Sequence, residues 1–594
     1  MRSDYDVTNL MFGADTAAEL DFYQGEPKPR LEPLLLDTVM QGRPPVSNCR
    51  LLQMPNEILA KIVSFVAEDK DALQQLALVD SDCCGLSRAS QFSEFRFDYS
   101  PNKIRLLLLL AQGMIGQDRP GILDCIRKFT FKPDPSQVRD IHPYIWRRFQ
   151  EDPDEEYGGA AEIKEQGARH FKQIQHDVAL NFKAMRNLET LVWDCNFPLD
   201  KDTWSLLACS TAHNLLINGT LIAENFSLGP PLTTPSWPLR SLVLMNVRLN
   251  PEAWKPLSLG TDSKSFPKLR QLRIKPGRDA IDEASFASLL SAPLKSLEPS
   301  HSSFRLFEHQ IRSRIEEPYL DLEELVIELT ENPQLATELI LKHNSLKKLW
   351  VAQNYYMSGR DNSLDRVLIP GLGKGRFNNL RSLYVQFGGQ NKDAGYDKDH
   401  FYILPESLAT ICELTTLEQL GLRCDEMEYE SYSYEDYTGV TFPIWLIDHG
   451  KLQAHLQSLK NLKMLVIRGD TYPSRAGEDS SHTGYYRQAY ANPEDFQTAE
   501  DHPELGPFVQ ERGESRVAWQ HAHLYRMLEH ARSYRAMLPK LEWILCGKRP
   551  MRFIEDAQGV VQPHPVGNEM DECKTFIGRV FGLASEVEIA HLTN

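Results

Sequence analysis

Two different hydrophobic periods run along the chain. Between Leu51 and Leu86 apolar residues recur at helical spacing. Ile58, Leu59, Ile62, Val63 and Val66 share one helix face. Pro55 suits the start of that helix, and Glu57 favours the positive end of its dipole. A second amphipathic stretch covers Ala72–Val79, and a short third one runs through Leu86. Three short helices in about forty residues have little room for a private core. Their apolar face is therefore expected to pack on something else, either the next domain, as a cap, or another protein.

Further along, the period shortens to a strand-like phrase, Leu-x-x-Leu-x-(Leu/Val/Ile). Good copies start at Leu188, Leu239, Leu269, Leu322, Leu346, Leu380, Leu417 and Leu462. Degenerate ones start at Ile126, Leu294 and Leu541. From Leu239 to Leu346 the steps between starts are 30, 25, 28 and 24 residues, close to the roughly 20–29 of leucine-rich repeats. Later steps widen to 34, 37, 45 and 79, which implies insertions. Each phrase reads as a short strand with its last two apolar residues turned into a core. Such a unit cannot bury its own face, so neighbours must stack. Ile281–Leu290 and Asn332–His343 read as return helices. The competing reading is an α/β domain with chance leucine triplets.

The expected fold class is α/β: a small N-terminal three-helix module, then an irregular leucine-rich repeat solenoid with parallel strands on the concave face. The boundaries read as follows: residues 1–48 a poorly structured lead-in, 49–95 the helical module, 96–548 the array, and 549–594 a C-terminal hairpin and cap. Insertions fall at about 425–440 and 471–510. The first holds the acidic, tyrosine-rich run Asp425–Tyr437. The second, Thr471–Pro507, reads as a loosely packed loop, followed by a helix over Ser515–Met537. The hairpin spans Met551–Gln562 and turns at Gln558-Gly559.

Charge and cysteine content narrow the function. A net charge of −17 argues against a phosphate-neutralising nucleic-acid binder. The ten cysteines show no framework spacing, and the close pair Cys83–Cys84 cannot form a CxxC motif. The longest apolar run, Leu106–Ala111, is far short of the roughly 20 residues that span a membrane. A soluble protein of a reducing compartment, cytoplasmic and/or nuclear, with no membrane partner, is the expectation. The sequons at Asn218 and Asn225 are then chance matches.

The wording of the first helix is more specific than its period. Leu52-x-Met54-Pro55-x-Glu57-Ile58-Leu59-x-x-Ile62-x-Ser64-Phe65-Val66, then Leu73-x-x-Leu76-x-Leu78-Val79, resembles the F-box motif. The resemblance covers residues 50–90. It implies binding of a Skp-type adaptor, and through it a cullin, by Leu52, Met54, Pro55, Ile58, Leu59, Ile62, Val66, Leu76, Leu78 and Val79. Where that family places a basic residue and then Trp, this chain has Asp80-Ser-Asp-Cys83-Cys84. With the repeats behind it, the chain is similar to F-box/leucine-rich-repeat proteins, especially long, irregular fungal ones. That implies a non-enzymatic substrate-recognition subunit of an SCF-type ubiquitin ligase, its repeats holding a protein target. The alternative is a repeat scaffold without a ubiquitin-ligase role, the first helices being a structural cap.

Period-2 alternation assigns an outward, concave strip to Asp194, Met245, Arg273, Lys275, Glu324, Glu328, Trp350, Tyr384, Arg423, Arg468 and Trp543. Exposed aromatics and Arg on such a strip are typical binding anchors. Catalytic and metal chemistry is not legible. His521 and His523, beside Glu529 and His530, point apart on a helix. Gly371-Leu-Gly-Lys-Gly375 lacks phosphate-loop spacing. No cofactor is implied.

Overall fold

The computed structural model describes residues 50–113 except 68 and 80, 122–142, 161–222, 239–249, 266–275, 289–299 and 308–329. It further describes 333–353, 364–387 except 374, 403–424, 445–446, 449–471 except 469, 493–509, and 514–565 except 548 and 557. Residue contacts divide the chain between Gln310 and Ile311 into an N-terminal and a C-terminal unit. The expected lead-in 1–48, most of the return helix Ile281–Leu290, the acidic run Asp425–Tyr437 and the terminal segment after 565 lie outside the described residues.

The N-terminal unit begins with helices α1 (Asn56–Val66), α2 (Lys70–Ala77) and α3 (Ser81–Gln91). Pro55 is the N-cap of α1, and the Asp69 carboxylate caps α2 by accepting from the Ala72 amide. These helices do have a core of their own, which corrects the sequence expectation. Leu52, Leu59, Val63, Leu73, Cys83 and Leu86 close around one another, and Leu51, Val66 and Leu76 pack at the edge. Ser87 Oγ donates to the Leu73 carbonyl and ties α3 to α2. Each fully buried aliphatic side chain contributes about 1.5–3 kcal/mol.

Seven parallel strands follow among the described residues: β1 (Glu94–Phe97), β2 (Lys128–Phe131), β3 (Thr190–Asp194), β4 (Asn214–Asn218), β5 (Ser241–Met245), β6 (Gln271–Lys275) and β7 (Ser296–Pro299). They pair in chain order, with equivalent phrase positions in register throughout. Two of these strands are absent from the phrase list. In the phrase that contains β4 the first apolar position, just before the strand, is Ala212, fully buried, rather than leucine. Counting it splits the interval from Leu188 to Leu239 into steps of 24 and 27 residues. In β1 the apolar positions are Phe95 and Phe97. Their rings stack on those of Phe129 (centroids 5.5 Å apart) and Phe131 (5.3 Å), and Phe131 stacks on Trp193 (4.1 Å). The inner face is thus aromatic at its start and aliphatic beyond β4.

Helices α4 (Pro101–Gly113), α5 (Ala161–Leu180) and α6 (Lys201–Ala208) are the long returns of this unit. A second, smaller parallel sheet joins Pro198–Leu199, Leu221–Ile222 and Arg248–Leu249. A polar line passes through buried Asp194 and Asn218 to more exposed ends. Lys132 Nζ lies 2.9 Å from Asp194 Oδ2, Asn218 Nδ2 donates to Asp194 Oδ1 (2.6 Å), and Asn246 Nδ2 donates to Asn218 Oδ1 (3.2 Å). Asn218 of the sequon is therefore fully enclosed.

The C-terminal unit repeats the scheme. Strands β8 (Glu324–Leu329), β9 (Lys348–Gln353), β10 (Ser382–Phe387), β11 (Gln419–Cys424), β12 (Met464–Arg468) and β13 (Trp543–Gly547) are parallel and paired in order. Helices α7 (Pro333–Lys342), α8 (Pro405–Cys412) and α9 (His449–Leu456) precede β9, β11 and β12. Within the expected loose loop lies α10 (Pro493–Asp501), which packs on α11 (Glu514–Met537); buried Asp495 takes an ion pair from Arg526 at 2.9 Å. Antiparallel β14 (Arg549–Glu555) and β15 (Val561–Pro565) form the expected hairpin. Its turn is held by Asp556 Oδ1, which accepts from the Gln558 and Val560 amides, with Gly559 at φ +79°. Both units are α/β repeat stacks of the leucine-rich type.

Candidate binding surfaces

The helical module has two apolar faces. The inner one holds Leu52 and Leu59, the latter only 1% exposed. These two residues were expected to touch an adaptor; they hold the module together instead. Val66 and Leu76 are half-buried at the edge of the same core. Met54, Pro55, Ile58 and Ile62, before and on α1, and Leu78 and Val79, just after α2, are all exposed and make up the outer side. Phe65 joins them at 78% exposure, equal to Leu78, and was missing from the expected contacts although the motif contains it. Helical spacing explains the split: Ile58, Ile62 and Phe65 lie three or four residues apart, one step round from Leu59 and Val63. The exposed face ends where α3 begins, because Asp82 and Cys83 are buried. A third contact joins the module to the repeats, with Ala89 of α3 against Cys125 and Phe92.

The strand strip is less open than alternation implies. Tyr384 is fully buried and stacks on half-buried Trp350, centroids 3.6 Å apart and planes 7° from parallel. Its register partner on the other side is Gly421, whose missing side chain leaves room for the ring. Trp543 is buried, with the Arg552 guanidinium of β14 over its ring at 5.2 Å. Arg273 is buried in an ion pair with Glu298 of the neighbouring strand. Asp194 and Met245 are buried as well. These five outward positions are internal, and the expected contacts at Arg273, Tyr384 and Trp543 are corrected accordingly. Glu324 is half-buried and pairs with Lys348 at 2.8 Å. Arg423 is half-buried and stands in register with Arg468. The side chains of Lys275, Glu328 and Arg468 lie outside the described set.

A different row is open, apart from buried Arg127. The residue just before each strand donates its amide to the same position one strand back, which lines these residues up. In the C-terminal unit the row reads Glu323, Lys347, Arg381, Glu418, Lys463, Glu542. It is closed by ion pairs at Glu323–Lys347 (3.0 Å) and Glu418–Lys463 (2.8 Å). The Lys463 ammonium holds the Glu418 carboxyl below the usual carboxylate range. In the N-terminal unit the row reads Arg127, Glu189, His213, Arg240, Arg270, Lys295. Glu189 is taken by Arg127, at 2.6 Å.

The histidines of α11 go to separate neighbours. His521 and His523 are buried, with His523 stacked on Trp519, and His530 stacks on His449 at 3.8 Å. Glu529 pairs with Arg532. Another histidine cluster was not legible in sequence, because its members are far apart in the chain. His142 Nε2 lies 2.9 Å from Tyr99 Oη and 3.3 Å from His170 Nδ1. Burial, then His170, lowers the His142 pKa. Among the described residues no group of three His, Cys, Asp or Glu is placed to hold a metal, and no helix is long and apolar enough to cross a membrane. At Gly371 an added Cβ would meet Leu341 at 2.6 Å, so that glycine serves close packing.

No protein-family model matches the sequence, and no curated protein matches it. Solved structures with a similar fold include an internalin (InlF) from Listeria monocytogenes str. 4b F2365, 15% identical, covering 49% of this chain and 70% of that one with a TM-score of 0.23. A chain of the octameric complex of latrophilin 3, Unc5D and the leucine-rich repeats of FLRT2 is 12% identical, covering 55% and 82%, TM-score 0.24. The TLR13–ssRNA13 complex gives 15% identity, 59% and 48% coverage, TM-score 0.22. These superpositions are loose, and the architecture rests on the strand register.

Proposed function

We propose that this chain is a binding protein whose N-terminal helices dock onto a Skp-type adaptor, linking it to a cullin, while the repeats hold a protein target. In that reading it is the substrate-recognition subunit of an SCF-type ubiquitin ligase. One observation carries the docking half: a module with its own closed core still turns Met54, Ile58, Ile62, Phe65, Leu78 and Val79 to solvent. Ile58, Ile62 and Phe65 share one face of α1, and an exposed apolar patch of that kind marks an interaction site. Ala89 and Cys125 support the competing scaffold reading, because they anchor the module to the repeats as a cap would. That contact uses α3 and leaves the outer face of α1 unoccupied by it. The experiment is co-elution of the full chain with a Skp-type adaptor at micromolar concentration. The docking reading expects a complex that Ile58→Glu abolishes; separate elution of the unaltered chain and adaptor favours the scaffold.

A further inference from the structure

The row at the N-terminal ends of the strands uses the same backbone register in both units to opposite electrostatic ends. In the C-terminal unit every described cation in the row has an acidic neighbour. In the N-terminal unit the acids stop at Glu189. Beyond it, the Arg240 amide donates to the His213 carbonyl (2.7 Å), the Arg270 amide to the Arg240 carbonyl (2.8 Å), and the Lys295 amide to the Arg270 carbonyl (2.7 Å). Strand spacing therefore sets successive backbones about 4.8 Å apart. Lys268 adds a further cation: burial, then Arg240 and more weakly Lys268, lower the His213 pKa against an opposing rise from Glu189. Arg240, Lys268 and Arg270 are exposed. Arg270 Nη1 is pinned by backbone carbonyls, the shortest contact being Pro293 O at 3.1 Å, so among the described residues its charge is fixed in place by groups that carry no charge of their own.

Stability does not explain this arrangement. Like charges on adjacent strands weaken pairing, and the chain as a whole carries a net charge of −17. A run of cations in such a chain is a local exception that an anionic partner would relieve. Next to it, at the first position of each strand, stand neutral hydrogen-bonding groups: Asn214 Nδ2 donates to Thr190 Oγ1 (3.2 Å) and Ser241 Oγ to Gln271 Oε1 (3.1 Å). Amides and hydroxyls beside cations suit carboxylates and peptide groups. Nucleic acid fits less well: among the described residues Phe266, the aromatic side chain between these cations in the chain, is buried and offers no stacking surface, and the overall negative charge repels a long polyphosphate.

We infer that His213, Arg240, Lys268 and Arg270 form a docking site for an acidic segment of a partner protein. This rests on the reading of the repeats as the target-holding part of the chain. Adaptor co-elution tests the helical module and leaves this row untouched, so the two ideas fail separately. The test titrates a fluorescent octaglutamate peptide into the full chain at low salt. Saturable binding that weakens with added salt is expected. Arg240→Gln with Lys268→Gln weakens it about tenfold, as loss of two ion pairs near the upper end of their usual strength would. The charge-matched control, Lys347→Gln with Lys463→Gln, removes the same net charge from the paired row and leaves affinity within about twofold. Thermal midpoints of both variants verify folding; if the first fails to fold, Arg240→Gln alone is measured and is expected to lose about half that binding free energy. Equal losses in both variants, no binding at all, or displacement of the peptide by an equally charged single-stranded oligonucleotide at lower concentration would each overturn the assignment.

Discussion

The helical module and the strand strip both carry apolar side chains on the face that sequence periodicity assigns to the outside, yet they treat them oppositely. On the module Ile58, Phe65, Leu78 and Val79 are open. On the strands Val192, Leu216, Val243, Tyr384, Val466 and Leu545 hold the outward position and are all buried. Alternation reports which side of a sheet a residue occupies; it does not report whether that side is wet. In the proposed function, exposed apolar groups make the module the docking surface, and the proposed recognition by the repeats moves from the strip to the row at the strand ends.

The largest effect that could break this comparison is on the strip. Tyr384→Ala removes a fully buried ring stacked on Trp350, and its expected cost is about 3–5 kcal/mol in urea unfolding. A cost below about 1 kcal/mol would mean the strip is solvated and available to a target. Next is the split within the module. Leu59→Ala is expected to cost about 2–5 kcal/mol, whereas the adjacent Ile58→Ala stays within roughly 0.5 kcal/mol. Equal costs would erase the distinction between inner and outer faces.

A smaller effect is set by pH. Burial, with the neighbouring His449 second, pushes the His530 pKa down to about 4 from its ordinary 6.5. Burial also lowers His142 and His343. Below pH 6.5 the unfolded chain takes up protons that the folded histidines refuse, so stability falls as pH drops from about 6.5 towards 4. The thermal midpoint should decline across that window, and His530→Gln should flatten part of the decline. Residues 50–91 contain no histidine, so adaptor binding at pH 6 should match that at pH 7.5 while the array is already less stable. A midpoint that rises on acidification would contradict the buried, neutral state of these rings.

Much of the fold was legible because it is periodic. Leucine phrases marked most of the strands, and Asn332–His343, Ser515–Met537 and the Gly559 hairpin were readable from local pattern and turn chemistry. What escaped were positions where burial was kept but leucine was not: Phe95 and Phe97 in β1, Ala212 before β4. The private core of the module was also missed, because Cys83 and Leu86 complete it from a stretch with weak periodicity. Of the surface, the amphipathic character of α1 followed from helical spacing, but the division between buried Leu59 and Val63 and exposed Ile58, Ile62 and Phe65 did not. Burial of Tyr384, Arg273 and Trp543 did not, since it depends on neighbours such as Trp350, Glu298 and Arg552 from other strands. The basic row is likewise a product of register between His213, Arg240 and Arg270, which are tens of residues apart.

The most direct test of docking is a titration of the Skp-type adaptor into the full chain and into the Ile58→Glu and Phe65→Glu variants, with thermal midpoints measured alongside. Saturable binding to the unaltered chain, lost in both variants at unchanged midpoint, is the predicted result. Binding that survives both substitutions, or an unaltered chain that does not bind, would contradict it.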